Sequence, residues 1–76
     1  MDIKEKIKEV IAGVLKVRAE EIKDDAKLYE GIGADSTEMV EVVIALEKAF
    51  NAKLSPKEIT KFSTPSEIEK IIQSKL

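Results

Sequence analysis

The chain has no cysteine and no histidine. Without cysteine there is no disulfide framework, no thiolate nucleophile and no thiolate metal site. Without histidine, Ser-His-Asp hydrolysis and the common zinc sites are excluded too. Proline and glycine are scarce, at 2 and 3 residues, too few for a loop-rich fold. An excess of basic charge is also missing. Thirteen bases against fifteen acids leave a net charge of −2, which argues against nucleic-acid binding. The opening Met-Asp-Ile-Lys-Glu-Lys has no signal-peptide core, and no apolar run is long enough to span a bilayer. The expectation is a soluble, cytoplasmic protein without membrane insertion. With no visible general base and no metal cluster, it is not expected to be an enzyme.

What is present is helix-forming: many Ile, Leu, Val, Glu, Lys and Ala. A chain of 76 residues predicts one domain over 1–76, burying roughly 60% of its unfolded surface. That suffices for one core but not for a second lobe or a deep enclosed active site. Ile3, Ile7, Val10, Ile11, Val14 and Leu15 recur at helical spacing, so 3–16 reads as an amphipathic helix. Asp2 with Glu5 has the spacing of a capping box. Gly13 inside this helix suggests a close approach by another segment. Residues 17–35 are polar and acidic, and read as a long surface loop pinned by Ile22, Leu28 and Ile32.

The chain is organised around Gly33-Ala34-Asp35-Ser36 and the helix that follows, over 36–50. On a helical wheel the polar arc holds Thr37, Glu38, Glu41, Ala45 and Lys48. The apolar arc covers well over half the circle and includes Met39, Val40, Val42, Val43, Ile44, Leu46, Ala49 and Phe50. Such an arc predicts a helix covered by more than one neighbour. Ser55-Pro56-Lys57-Glu58 and Thr64-Pro65-Ser66-Glu67 then repeat one start signal, a capping hydroxyl, a proline and a glutamate. They predict a brief helix over 56–61 and a closing helix over 65–75. No strand pattern competes. The fold class is all-α: a small four-helix bundle, three main helices plus one short helix, with a long loop between helices 1 and 2.

A bare Asp-Ser at a helix start reads as a cap and no more. Here Gly33-Ala34-Asp35-Ser36, followed by Met39-Val40-Glu41-Val42-Val43-Ile44-Ala45-Leu46-Glu47-Lys48-Ala49-Phe50, resembles the acyl carrier protein family over the whole chain. That family has an Asp-Ser-Leu signature at the start of its second helix. The resemblance implies that Ser36 carries 4′-phosphopantetheine covalently, attached by a phosphopantetheinyl transferase that draws on coenzyme A. It implies a carrier of acyl cargo, serving acyl-transferring or chain-modifying enzymes in fatty acid or related specialised lipid or polyketide synthesis. A monomer is expected. The chemistry is coherent: a helix N-terminus favours a phosphodiester, and a chain without cysteine must import the thiol that a thioester needs.

The resemblance also distributes roles. Asp35 caps the helix and helps dock the transferase. Thr37, Glu38, Glu41, Ile44, Glu47 and Lys48 are candidates for partner docking. Met39, Val40, Val43, Leu46, Ile59, Phe62 and Ile68 are candidates for an acyl pocket, against a reading of the same residues as plain core. Thr37 stands where the signature has leucine, Gly31 and Lys48 stand where acids are common, and Lys57 and Lys61 add positive charge. Reduced acidity implies weaker steering towards basic partners and a specialised carrier. The residues also admit two rivals: an aminoacyl or peptidyl carrier, and an unmodified helical interaction module.

Overall fold

Asp2 opens the first helix. In the computed structural model, which describes residues 2–76, its carboxylate accepts the Lys4 N–H at 3.0 Å, and α1 runs Ile3–Leu15. Ile7 and Ile11 are fully buried, with Ile3, Val10, Val14 and Leu15 packed at their margin. Lys16 ends the helix in the left-handed conformation, at φ 58°. Gly13 does not mark a close approach: a Cβ built there meets nothing within 4 Å.

The connection from α1 to the central helix is structured in two places. A 3₁₀ turn covers Ala19–Glu21, and a five-residue helix, α2, covers Leu28–Ile32. Ile22 and Leu28 enter the core and Ile32 packs against it. α2 has no side-chain cap. Its first amides are satisfied from far along the chain instead: Leu28 N–H donates to the Ser63 carbonyl at 3.1 Å, and Tyr29 N–H to the Lys61 carbonyl at 2.8 Å. Gly33 then stops α2 at φ 70°, a conformation glycine adopts without steric cost.

α3 spans Ser36–Phe50 and α4 spans Pro65–Lys75. The short helix expected over 56–61 does not form. Ser55 and Glu58 make the predicted start, with Ser55 N–H donating to Glu58 at 3.0 Å and Lys57 N–H to the Ser55 hydroxyl at 3.1 Å. Hydroxyls then intercept the amides a helix would use. Thr60 N–H donates to Ser63 Oγ at 3.0 Å and Phe62 N–H to Thr60 Oγ1 at 3.2 Å, so the segment stays a series of turns. The bundle thus keeps three main helices and one short one, but the short helix is α2, inside the long connection.

α1 packs against both α3 and α4. The core between them collects Met39, Val42, Val43 and Leu46 from α3 and Ile68 and Ile72 from α4, closed by Leu54 and Ile59. The wide apolar arc of α3 is not fully covered, because Val40 and Ile44 remain 46% and 47% exposed. They lie one helical turn apart.

Asp24 ties the first connection to two helices. Its carboxylate meets the ammonium groups of Lys8 and Lys4, the latter at 3.5 Å, and its carbonyl accepts the Ser66 N–H at 3.2 Å. The hydrogen bond from Lys8, with the two nearby positive charges, holds the Asp24 carboxyl below its usual range against the opposing effect of burial. A depressed carboxyl pKa in the folded state stabilises the protein above the unfolded value, and that contribution is lost as pH falls through the folded value. The melting temperature of the wild type is therefore expected to drop more steeply below about pH 4 than that of Asp24→Asn, the unfolded carboxyl titrating near there. Parallel acid melts of the two proteins read this directly. Equal slopes would mean the ion cluster does not act on stability.

Candidate functional site

Ser36 is the first residue of α3, and it is exposed. The cap is supplied by its neighbour. Asp35 Oδ1 accepts the Glu38 N–H at 2.7 Å, and Glu38 Oε1 accepts the Asp35 N–H at 3.1 Å, which closes a capping box around the helix start. The Ser36 hydroxyl makes no hydrogen bond among the described residues. Asp35 therefore takes the capping position, and the Ser36 oxygen is left free at the surface. Ala34, just before it, is buried to 1% exposure and anchors the turn against the core.

A cleft of about 380 Å³ opens beside Ser36. One wall is α3, through Ser36, Met39 and Val40. The other is the 56–62 segment, through Pro56, Ile59, Thr60, Lys61 and Phe62. Its size falls in the ordinary range for small-molecule clefts. Of the pocket candidates, Met39, Val40, Ile59 and Phe62 lie on this cleft, while Val43, Leu46 and Ile68 lie away from it as buried core. The failure of 56–61 to coil places this wall: turns present Ile59 inwards, fully buried, and leave Phe62 56% exposed at the rim.

Pro56, Thr60 and Lys61 were not among the sequence candidates, nor was Tyr29. Tyr29 and Phe62 form a tilted pair with ring centroids 6.2 Å apart. The Lys61 ammonium lies 5.1 Å from the Tyr29 centroid and 5.4 Å from the Phe62 centroid. In the sequence Lys61 reads only as surface charge, since periodicity says nothing about a residue in a turn.

The docking candidates separate by environment. Thr37, Glu41 and Lys48 are exposed, and the apolar Ile44 is 47% exposed. Glu38 is half-buried and committed to the capping box. Glu47 is half-buried as well, and its carboxylate accepts the Leu54 N–H at 3.0 Å, fastening the chain after α3. Among the described residues no cluster of acids has metal-binding geometry, and no helix is long and apolar enough to cross a membrane.

An exposed, unbonded hydroxyl at a capped helix start, above an apolar cleft, suits covalent attachment of a phosphate-linked group with an apolar cargo. Comparison with known proteins agrees. The family described as the phosphopantetheine attachment site matches residues 5–72. An acyl carrier protein of Wolinella succinogenes is 39% identical over 74 residues, covering 97% of this chain and 97% of that protein.

Proposed function

The chain belongs to the acyl carrier protein family, and from that premise we infer that Ser36 is the residue to which its 4′-phosphopantetheine is attached. The carrier role and the covalent cofactor follow from the family. The position on this chain rests on one observation above all: Asp35 takes the capping bond and leaves the Ser36 hydroxyl free and exposed. Bound there, the group supplies the terminal thiol this cysteine-free chain lacks, and with it the means to hold acyl groups as thioesters. Transfer from coenzyme A by a broad-specificity transferase tests the reading. An increase of one phosphopantetheinyl group is expected. No increase, with a control carrier loaded in the same mixture, overturns it.

The chain's own residues divide the work as follows. Asp35 and Glu38 fix the first turn of α3, so the amides at the helix start face the attachment point, where they favour a phosphodiester. Met39, Val40, Ile59 and Phe62 offer an apolar surface to acyl cargo within reach of Ser36. Thr37, Glu41, Ile44 and Lys48 form the exposed strip on which the transferase and the acyl-handling enzymes dock. Its mix of charges fits a specialised carrier with dedicated partners.

Asp35 has two roles that substitution separates. Asp35→Ala is expected to lower stability by about 1 kcal/mol through loss of the cap. Asp35→Asn keeps a good cap and removes the charge, so its stability should stay near wild type while loading by the transferase slows. Urea unfolding and initial loading rates together check this. An Asn variant that loads at the wild-type rate would assign Asp35 to capping alone.

A further inference from the structure

The face beside Ser36 poses an electrostatic difficulty that the family role does not resolve. The capping box places two carboxylates, Asp35 and Glu38, in the turn that bears Ser36. A phosphodiester attached there adds a further negative charge close to both. The amides at the start of α3 offset part of this repulsion. A cation is also at hand. Lys61 is the one charged side chain lining the Ser36 cleft, and it has no ion-pair partner among the described residues.

Lys61 is also held. Its ammonium lies over the rings of Tyr29 and Phe62, and its own carbonyl accepts the Tyr29 N–H at 2.8 Å. Rings hold a cation through their faces while leaving its N–H groups free for an anion on the open side. Apart from Ser36 and Thr60, the other walls of the cleft are Met39, Val40, Pro56, Ile59 and Phe62, a mostly apolar setting in which charge pairing is screened less than in open water. Lys57, four residues earlier, is exposed and does not line the cleft.

We propose that Lys61 is the anion-binding residue of the attachment site: its ammonium pairs with the phosphodiester on Ser36, and Tyr29 and Phe62 hold it in place. This rests on Ser36 bearing the group. Lysine suits the task as a compact point charge with rotatable donors. The pairing draws the attached chain towards the 56–62 wall, so that it leaves Ser36 along the cleft rather than into solvent. It also ties α2, through Tyr29, to the loaded state of a serine at the start of another helix.

Lysine Cε–Hε resonances of the unmodified and loaded wild type, with the phosphorus resonance of the loaded form, test the proposal. Loading is first established by mass; a chain that takes no phosphopantetheine overturns both this proposal and the reading it rests on. On loading, the Lys61 resonance is expected to shift more than those of Lys48, Lys53 or Lys57. The phosphorus resonance of folded Lys61→Gln should move towards its position in the unfolded protein. Lys61→Arg should keep it near the wild-type position, and Lys57→Gln should not move it. Cargo carboxylates are the other source of an anion, so the arm is also acylated with butyryl and with succinyl groups. The two should leave Lys61 alike. A Lys61 shift that appears only with succinyl would transfer the site to the cargo. A loaded protein in which Lys61 does not respond, or in which Lys61→Gln and Lys57→Gln behave alike, overturns the proposal.

Discussion

Ser36→Ala is expected to abolish loading completely while leaving the fold and its stability intact. Such a clean separation follows from the geometry of the helix start. The hydroxyl is exposed and makes no hydrogen bond among the described residues, and the capping bond belongs to Asp35. Alanine is the better helix former by up to about 0.5 kcal/mol, so urea unfolding should show no loss and can show a slight gain. Loading, by contrast, needs an oxygen at that position. Thr37 makes the experiment sharper: it is exposed, one residue on, and carries the only neighbouring hydroxyl in the first turn of α3. If Ser36→Ala still gains one phosphopantetheinyl group, the attachment lies on another hydroxyl and Ser36 is merely a surface residue. If instead the variant unfolds, the capping geometry described above is wrong.

The second large effect concerns the wall of the cleft. Ile59 and Phe62 both line it, yet Ile59 is fully buried and Phe62 is 56% exposed. Truncating a buried isoleucine to alanine typically costs about 2–5 kcal/mol, through lost transfer energy and the cavity left behind. A domain of this size has roughly 4–11 kcal/mol in total, at about 0.05–0.15 kcal/mol per residue. Ile59→Ala should therefore remove a large share of the stability. Phe62→Ala gives up a half-exposed ring and its tilted contact with Tyr29, a pair worth roughly 0.5–1.5 kcal/mol beyond burial. Its loss should stay near 1 kcal/mol. Urea unfolding of the two variants makes the comparison. Comparable losses would mean that the 56–62 segment does not have a buried floor and an exposed rim, and would remove the structural basis for a cleft that admits cargo at its mouth.

Much of this architecture was legible in the residues because its signals are local. The Asp-x-x-Glu, Ser-x-x-Glu and Thr-x-x-Glu spacings at 35–38, 55–58 and 64–67 are helix-start signals, and each makes the expected reciprocal or capping bonds, although the second opens only turns. The apolar periods of α1 and α3 predicted the core positions Ile7, Ile11 and Leu46. What was not legible is non-local. α2 contains Gly31, lacks a side-chain cap, and draws its first hydrogen bonds from the carbonyls of Lys61 and Ser63. No window of sequence around 28–32 contains those partners.

The short helix over 56–61 failed for a related reason. Its start signal is real, but Thr60 and Ser63 carry hydroxyls that compete for the amides of Thr60 and Phe62. The outcome of that competition shapes the cleft, because it puts Lys61 and Phe62 where a continued helix would not. The exposure of Val40 and Ile44 is a further limit of periodicity. A helical wheel shows which residues are apolar, but a chain this short has too few neighbours to cover a wide apolar arc. The uncovered part faces the cleft and the proposed docking strip, which is where a carrier has use for it.

The most direct measurement is to locate the modified residue on the wild-type protein. After incubation with coenzyme A, magnesium and a broad-specificity transferase, intact mass should rise by one phosphopantetheinyl group. Fragmentation of the peptide spanning Gly33–Phe50 should place that group on Ser36. A group found on Thr37 or on any other hydroxyl would contradict the account. So would a wild-type protein that stays unmodified while a control carrier in the same reaction is loaded.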